Sequence, residues 1–316
     1  MNLDKYIFPF PKVLRIEPSS SCNLHCSHCP TGTVKMKRGI MHKKVFQLVL
    51  QNMKENIDAI NVVVLYHGGE PLLNKNFVEM VKQIKMLGVV TWIKTVSNGM
   101  LLSEDVIEGI VASGLDQIEF SLDGENPEEN NYIRRGSDYA KVVTNIKRLI
   151  EYKRNIKTDF PEILIANAQF LTSMAYNNRK SPPEPPEYLT KAFSGEYADD
   201  IADFKCTWAI RWSDMDVPEN VYNIYHDLYD TRIFNECDQV KNVMTIRWDG
   251  SIVACCYDLT SQYIIGNIQD DNLADIWNNK KFLKLRQSID KKSFVPLCAN
   301  CNVVRPNVYL TLKRKP

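Results

Sequence analysis

Between Val13 and Phe204 the chain alternates short runs of β-branched and apolar residues with longer stretches whose apolar residues recur every three to four positions. A strand and an amphipathic helix in this order bury their apolar faces by winding into βα units around a parallel sheet, so the alternation constrains the fold more than any other feature. The runs at 13–18, 62–66, 90–95, 117–122, 163–170 and 204–211 read as strands, and the stretches at 43–54, 76–86, 103–112 and 139–153 as helices between them. Six such strands cannot close an eightfold barrel. The expectation is an α/β fold, a partial (β/α)6 TIM-like barrel, with its functional residues at the C-terminal ends of the strands.

The rhythm breaks over 173–203, where Ser181-Pro182-Pro183-Glu184-Pro185-Pro186-Glu187 can continue neither a helix nor a central strand. A surface excursion is expected there. Further on, Asp249-Gly250 sits between two apolar runs and signals a hairpin over 243–254. The expected division is a partial barrel over 1–205 and a small C-terminal α+β domain over 206–316. At 316 residues, 44% of them hydrophobic, the chain can bury a core in each. Lys+Arg 39 against Asp+Glu 38 leaves no basic footprint for nucleic acid or an anionic membrane, so a small-molecule substrate is expected. No basic stretch leads into an apolar run at the start, and no run of about 18 apolar residues occurs, which predicts a cytoplasmic protein without a membrane partner.

In a reducing compartment nine cysteines read as metal ligands before they read as disulfides. Cys22, Cys26 and Cys29 fall within eight residues, directly after the first strand, where one loop can wrap a metal centre. Thiolates suit zinc or an iron–sulfur cluster. A structural zinc would need a fourth ligand, whereas three cysteines on a cubane leave one iron open. Farther on, Cys237, Gly250 and Cys255 follow a Cys-x12-Gly-x4-Cys count, and Cys298 and Cys301 form a Cys-x2-Cys pair. These four thiols could ligate a whole cluster or a zinc ribbon. Cys256 adjoins Cys255 and, on a strand, points to the other face, so Cys255 is preferred. Cys206 fits neither set and is expected to be a buried structural thiol near the end of the sixth strand.

Cys22-x3-Cys26-x2-Cys29 after a first strand resembles the signature of the radical S-adenosylmethionine superfamily. Tyr66-His67-Gly68-Gly69-Glu70-Pro71 after the second strand is similar to its Gly-Gly-Glu-Pro segment, in which Gly68, Gly69 and Glu70 would grip the methionine ammonium. Ser97-Asn98-Gly99 and Ser121-Leu122-Asp123-Gly124 match the family's strand-end contacts, so the resemblance implies cofactor-binding roles for Asn98, Ser121 and Asp123. It implies the same for Arg134, with Arg135 as rival, and for His28 beside the adenine. His25 and His67 carry no role in this reading.

The second cysteine set resembles the twitch domain, the shortened form of the SPASM domain, and Gly266-Asn267-Ile268, Ile276-Trp277-Asn278 and Arg286 fit its linker. The resemblance thus implies S-adenosyl-L-methionine and two 4Fe-4S clusters. One is catalytic, on Cys22, Cys26 and Cys29; the other is auxiliary, on Cys237, Cys255, Cys298 and Cys301. A flavodoxin- or ferredoxin-like donor would reduce the first cluster, and a 5′-deoxyadenosyl radical would take hydrogen from the substrate. Among family members the aminocyclitol dehydrogenases have a similar layout, which implies oxidation of a carbohydrate or aminocyclitol hydroxyl with the auxiliary cluster as electron acceptor. Arg211, at the end of the last strand, would assist loss of the hydroxyl proton. Modification of a ribosomal peptide, or redox-neutral dehydration or epimerisation of a sugar, are the alternatives.

Overall fold

The computed structural model describes residues 3–88, 90–170, 183–213, 215–226, 232–306 and 308–313. Six parallel strands pair in chain order: β1 (Val13–Ile16), β2 (Val62–Val64), β3 (Trp92–Ser97), β4 (Gln117–Ser121), β5 (Glu162–Gln169) and β6 (Ile201–Trp208). Along each strand successive side chains point to opposite faces. Leu14, Ile16, Ile93, Ile118, Phe120, Ile163 and Ile165 turn outward and are fully buried under the helices. Burying each contributes about 1.5–3 kcal/mol.

The barrel helices are α1 (Pro30–Thr33), α2 (Lys43–Glu55), α3 (Phe77–Lys85), α4 (Glu104–Ala112), α5 (Pro127–Ile133), α6 (Tyr139–Asn155) and α7 (Glu187–Ala192). Helix α2 presents Val45, Phe46, Val49, Leu50 and Met53 to the sheet, the three-to-four spacing read from its sequence. Asp138 caps α6 by accepting from the Lys141 backbone N–H, and Ser103 caps α4 through Val106. The sixth strand begins at Ile201, not at 204, and ends before Arg211. Of the expected excursion, 173–182 lies outside the described residues; the part after it forms α7 and a 3-10 turn over Gly195–Asp200.

Beyond β6 come β7 (Tyr222–His226), α8 (Gln239–Asn242), β8 (Val243–Ile246), β9 (Ser251–Val253), β10 (Ile264–Asn267), α9 (Leu273–Trp277), α10 (Lys280–Asp290), α11 (Pro296–Ala299) and β11 (Val308–Leu312). The hairpin read from Asp249-Gly250 is β8–β9, with Gly250 at φ 85°. Its place in the fold differs from a separate C-terminal sheet. Strand β8 runs parallel to β1, Val13 opposite Val243 through Ile16 opposite Ile246, so the barrel sheet continues as β10-β9-β8-β1-β2-β3-β4-β5-β6. Nothing local in either segment encodes this pairing, and the boundary expected between 205 and 206 falls inside β6. Strands β7 and β11 form a separate antiparallel pair. Arg286 braces this half: its guanidinium lies 4.3 Å from the Trp277 ring and 4.4 Å from that of Phe282, and donates to the Val240 and Tyr6 carbonyls.

Candidate functional site

The loop after β1 is pinned before it reaches its first cysteine. A Cβ at Gly69 would collide with the carbonyl oxygens of Ser19 and Ser21, and the Glu70 N–H donates to Ser21 O at 2.8 Å. Only glycine allows this approach of two backbones. Gly32 does the same in α1, packed against the backbone of Cys26. On the far side, Ser27 N–H donates to Ile133 O, and the hydroxyls of Ser27 and Tyr222 lie 2.7 Å apart.

Cys22, Cys26 and Cys29 line one cavity of about 520 Å³ at the C-terminal ends of the strands. His28, Gly68, Gly69, Glu70, Asn98, Ser121, Asp123 and Arg134 all line it as well, so the cavity brings together every residue expected to contact the cofactor. Arg134 is buried there while Arg135 is exposed, which separates the two rivals. Arg211 does not line the cavity, although its neighbours Ile210 and Trp212 do; its Nε is buried without a partner.

Two carboxylates organise this wall. Asp123 Oδ2 receives Arg134 Nη1 at 2.5 Å and stands 3.2 Å from His28 Nε2, while Oδ1 accepts from Ala168 N–H at 2.9 Å. Burial opposes ionisation of Asp123, but Arg134 and His28 outweigh it and hold the carboxyl below its usual range. Glu70 accepts from Leu72 N–H, Ser97 Oγ and Asn98 N–H, at 3.1, 2.9 and 2.8 Å. Burial raises its carboxyl against these three donors. Glu70 therefore ties the glycine segment to the end of β3 as well as facing the cavity.

Burial pushes the thiol of Cys22 up to about 11 and that of Cys26 up to about 12. A metal that binds them as thiolates must displace those protons, which couples loading to pH. The same holds in the second set, where burial raises Cys237 and Cys255, Cys298 to about 12 and Cys301 to about 11. Each of these four is within electrostatic range of others in the set. Cys256 is within range of Cys237 and Cys301 as well, and it also makes a hydrogen bond with Arg15 of β1. Cys206 is buried on the outer face of β6 and does not line the cavity.

Sequence reading missed part of the cavity. Trp212 and Tyr257, with ring centroids 5.0 Å apart, form an aromatic wall together with Trp208 and Leu259. Tyr257 follows Cys255-Cys256, so the loop carrying a cysteine of the second set borders the cavity that holds the first. Its place next to that cysteine pair was the available signal. Glu17 and His67, both excluded from water, stand 3.5 Å apart behind the glycine segment.

Residues 16–161 match the radical SAM superfamily, and residues 237–302 match SPASM, an iron–sulfur cluster-binding domain. The chain is a radical SAM enzyme with a SPASM/twitch-type domain, and its cofactors are S-adenosylmethionine and two 4Fe-4S clusters. It is 26% identical to the tungsten-containing aldehyde ferredoxin oxidoreductase cofactor-modifying protein of Pyrococcus furiosus, over 92% of this chain and 87% of that protein. It is 36% identical to a GTP 3',8-cyclase of Peptoclostridium acidaminophilum over 138 residues, 42% of this chain and 41% of the cyclase. In fold it resembles BtrN in complex with AdoMet and 2-DOIA, with a TM-score of 0.60 at 16% identity, covering 94% of both chains. Among the described residues no helix is long and apolar enough to cross a membrane.

The residues present fit these groups. Three thiols face a cavity large enough for a nucleoside and a further small molecule, where His28 Nδ1 and Arg134 Nε are buried without a partner. Among the described residues no three His, Cys, Asp or Glu side chains close on one point, as a single ion requires. A cubane takes each cysteine on a different iron, and so takes them farther apart.

Proposed function

We propose that this enzyme oxidises a hydroxyl group of a carbohydrate-like or aminocyclitol substrate held in the cavity. The observation that carries the reading is the position of Tyr257, which lines the substrate-sized space beside Cys22, Cys26 and Cys29 and adjoins Cys255 of the second set. When bound, the cofactors supply a 5′-deoxyadenosyl radical for hydrogen abstraction at the first cluster and an electron acceptor at the second. Cys22, Cys26 and Cys29 hold the first cluster; Cys237, Cys255, Cys298 and Cys301 hold the second, with no iron left open to substrate. Gly68, Gly69 and Glu70 present backbone and carboxylate oxygens to the methionine ammonium, with Asn98, Ser121 and the Asp123–Arg134–His28 group around the rest of the cofactor. Trp212 and Tyr257 wall off the substrate and exclude water. Arg211 acts on the leaving hydroxyl proton through space, from behind Ile210 and Trp212. A flavodoxin- or ferredoxin-like protein is the proposed donor of the priming electron.

The match to a cofactor-modifying protein along nearly the whole chain favours a second substrate reading, an organic cofactor precursor with an oxidisable hydroxyl. Both readings require two clusters. Anaerobic reconstitution tests them: with dithionite and S-adenosylmethionine the protein is expected to form 5′-deoxyadenosine and to hold two clusters by Mössbauer spectroscopy. A protein that saturates at one cluster refutes the oxidation.

A further inference from the structure

Arg15 is a buried charge that the first site does not use. On β1 it stands in register between Val64 of β2 and Thr245 of β8. Leu14 and Ile16 on either side point out to the helices, so Arg15 points into the barrel, where it is 9% exposed. An arginine keeps its charge when buried. Its guanidinium lies 5.9 Å from the centre of the Tyr66 ring, and Tyr66 lines the cavity. From there Arg15 meets the second cysteine set at two points. It makes a hydrogen bond with Cys256, which adjoins Cys255 and is within electrostatic range of Cys237 and Cys301. Its Nη1 also donates at 3.4 Å to Oε1 of Gln239, whose own backbone N–H donates to the Cys237 sulfur.

Among the described residues no carboxylate pairs with this charge. The partners of Arg15 are an amide and a thiol, its Nε is buried without one, and Glu119, which faces the same tyrosine, is taken by Lys205. A buried cation that no acid neutralises acts strongly on whatever negative charge stands beside it. Four thiolates give a 4Fe-4S cluster a net negative charge, and reduction adds to it. A neighbouring cation therefore stabilises the reduced form and raises the reduction potential.

We propose that Arg15 biases the second cluster towards accepting an electron, raising its reduction potential with a charge held between that cluster and the cavity. Arg15 does not line the cavity and acts through the cluster, as a positioning residue. The inference rests on the reading of the second cluster as electron acceptor and names the residue that favours that direction. In the oxidation proposed above, the carbon that loses a hydrogen atom becomes a radical. That radical passes one electron to the second cluster and releases its hydroxyl proton to solvent as the C=O bond forms, and a higher potential at the cluster draws the electron across.

Redox titration followed by electron paramagnetic resonance tests this without substrate or turnover. The full chain is reconstituted anaerobically with Cys22, Cys26 and Cys29 all replaced by Ala, so that the second cluster is read alone. Arg15→Gln is expected to shift its potential negative by at least about 59 mV, the one-electron equivalent of a tenfold change in the oxidised-to-reduced ratio. Arg15→Met, which keeps the aliphatic stem, should shift it likewise and guards against misfolding of the first variant. Arg15→Lys keeps the charge and should shift it much less. A neutral variant that holds the cluster at the wild-type potential overturns the proposal, as does an equal shift in Arg15→Lys. Loss of the cluster from both neutral variants also overturns it, since Arg15 would then be a structural brace. If the cluster forms and its potential is indifferent to Arg15, this inference fails while the oxidation reading stands; if the wild type forms no second cluster, both fall.

Discussion

Arg247 Nε donates to Glu17 Oε2 at 3.1 Å in a place that water does not reach, Glu17 being 0% and Arg247 2% exposed. Glu17 stands just past β1, and Arg247 opens the turn of the β8–β9 hairpin. The same oxygen accepts from Trp248 N–H at 3.2 Å, and Oε1 accepts from Gly68 N–H at 3.0 Å. One carboxylate thereby joins the start of the cysteine loop, the glycine segment and the C-terminal hairpin.

Breaking a buried pair by removing one partner strands a charge, at a cost of about 3–5 kcal/mol. Glu17→Gln and Arg247→Met are each expected to lose stability on that scale in anaerobic urea unfolding. The double variant should lose less than the two single losses together, because the second substitution removes the stranded charge.

The pair also sets a pH dependence. Burial raises the Glu17 carboxyl, but His67, Arg247 and the Trp248 N–H outweigh it and bring it from 4.5 down to about 2. A depressed carboxyl contributes stability that is complete above the unfolded value and is lost as pH falls through the folded one. Unfolding free energy should therefore drop between about pH 4.5 and pH 2, by on the order of 3 kcal/mol from this group. Glu17→Gln should flatten that limb in a pH series of urea melts.

Gly69→Ala places a methyl group against the Ser19 and Ser21 carbonyls, two fixed backbone atoms. S-adenosylmethionine binding, measured by equilibrium dialysis on the reconstituted protein, is expected to fall at least about tenfold, since small displacements of positioning groups are costly. At Gly88 a Cβ would meet nothing, but φ is 81°, so Gly88→Ala should cost only about 1 kcal/mol of stability and spare binding.

Cys255→Ala is expected to remove the second cluster, halving the iron bound per chain, while leaving 5′-deoxyadenosine formation. Cys256→Ala should retain the iron, because its thiol is engaged with Arg15. Iron analysis and electron paramagnetic resonance of the two variants decide between the neighbours. Retention of both clusters in Cys255→Ala would reverse the assignment.

The features legible in the sequence were those encoded over short spans. Cys22, Cys26 and Cys29 sit on one loop, Gly68-Gly69-Glu70 on another, and the amphipathic helices declare themselves over a few turns, so spacing was enough. Glu17 and Arg247 are 230 residues apart, and neither has a local pattern that names the other. The parallel pairing of β8 with β1 is equally remote, which is why the hairpin was found but not its place in the sheet. Lys94, Glu119 and Lys205 read individually as polar strand residues. That Lys205 pairs with Glu119 depends on β4 and β6 being brought together on either side of β5.

That remote pairing bears on how the protein is made. On a growing chain β1 has one edge open until residues 243–246 arrive, and β8 is the strand that covers it. Closing so long a loop is slow, so synthesis nearly completes before the sheet does. The cysteine loop springs from that open-edged strand and is anchored through Glu17 to the late hairpin. Iron loading at the N-terminal end must then await, or proceed without, the support of the last quarter of the polypeptide, so translation itself sets the order in which the active site can be assembled.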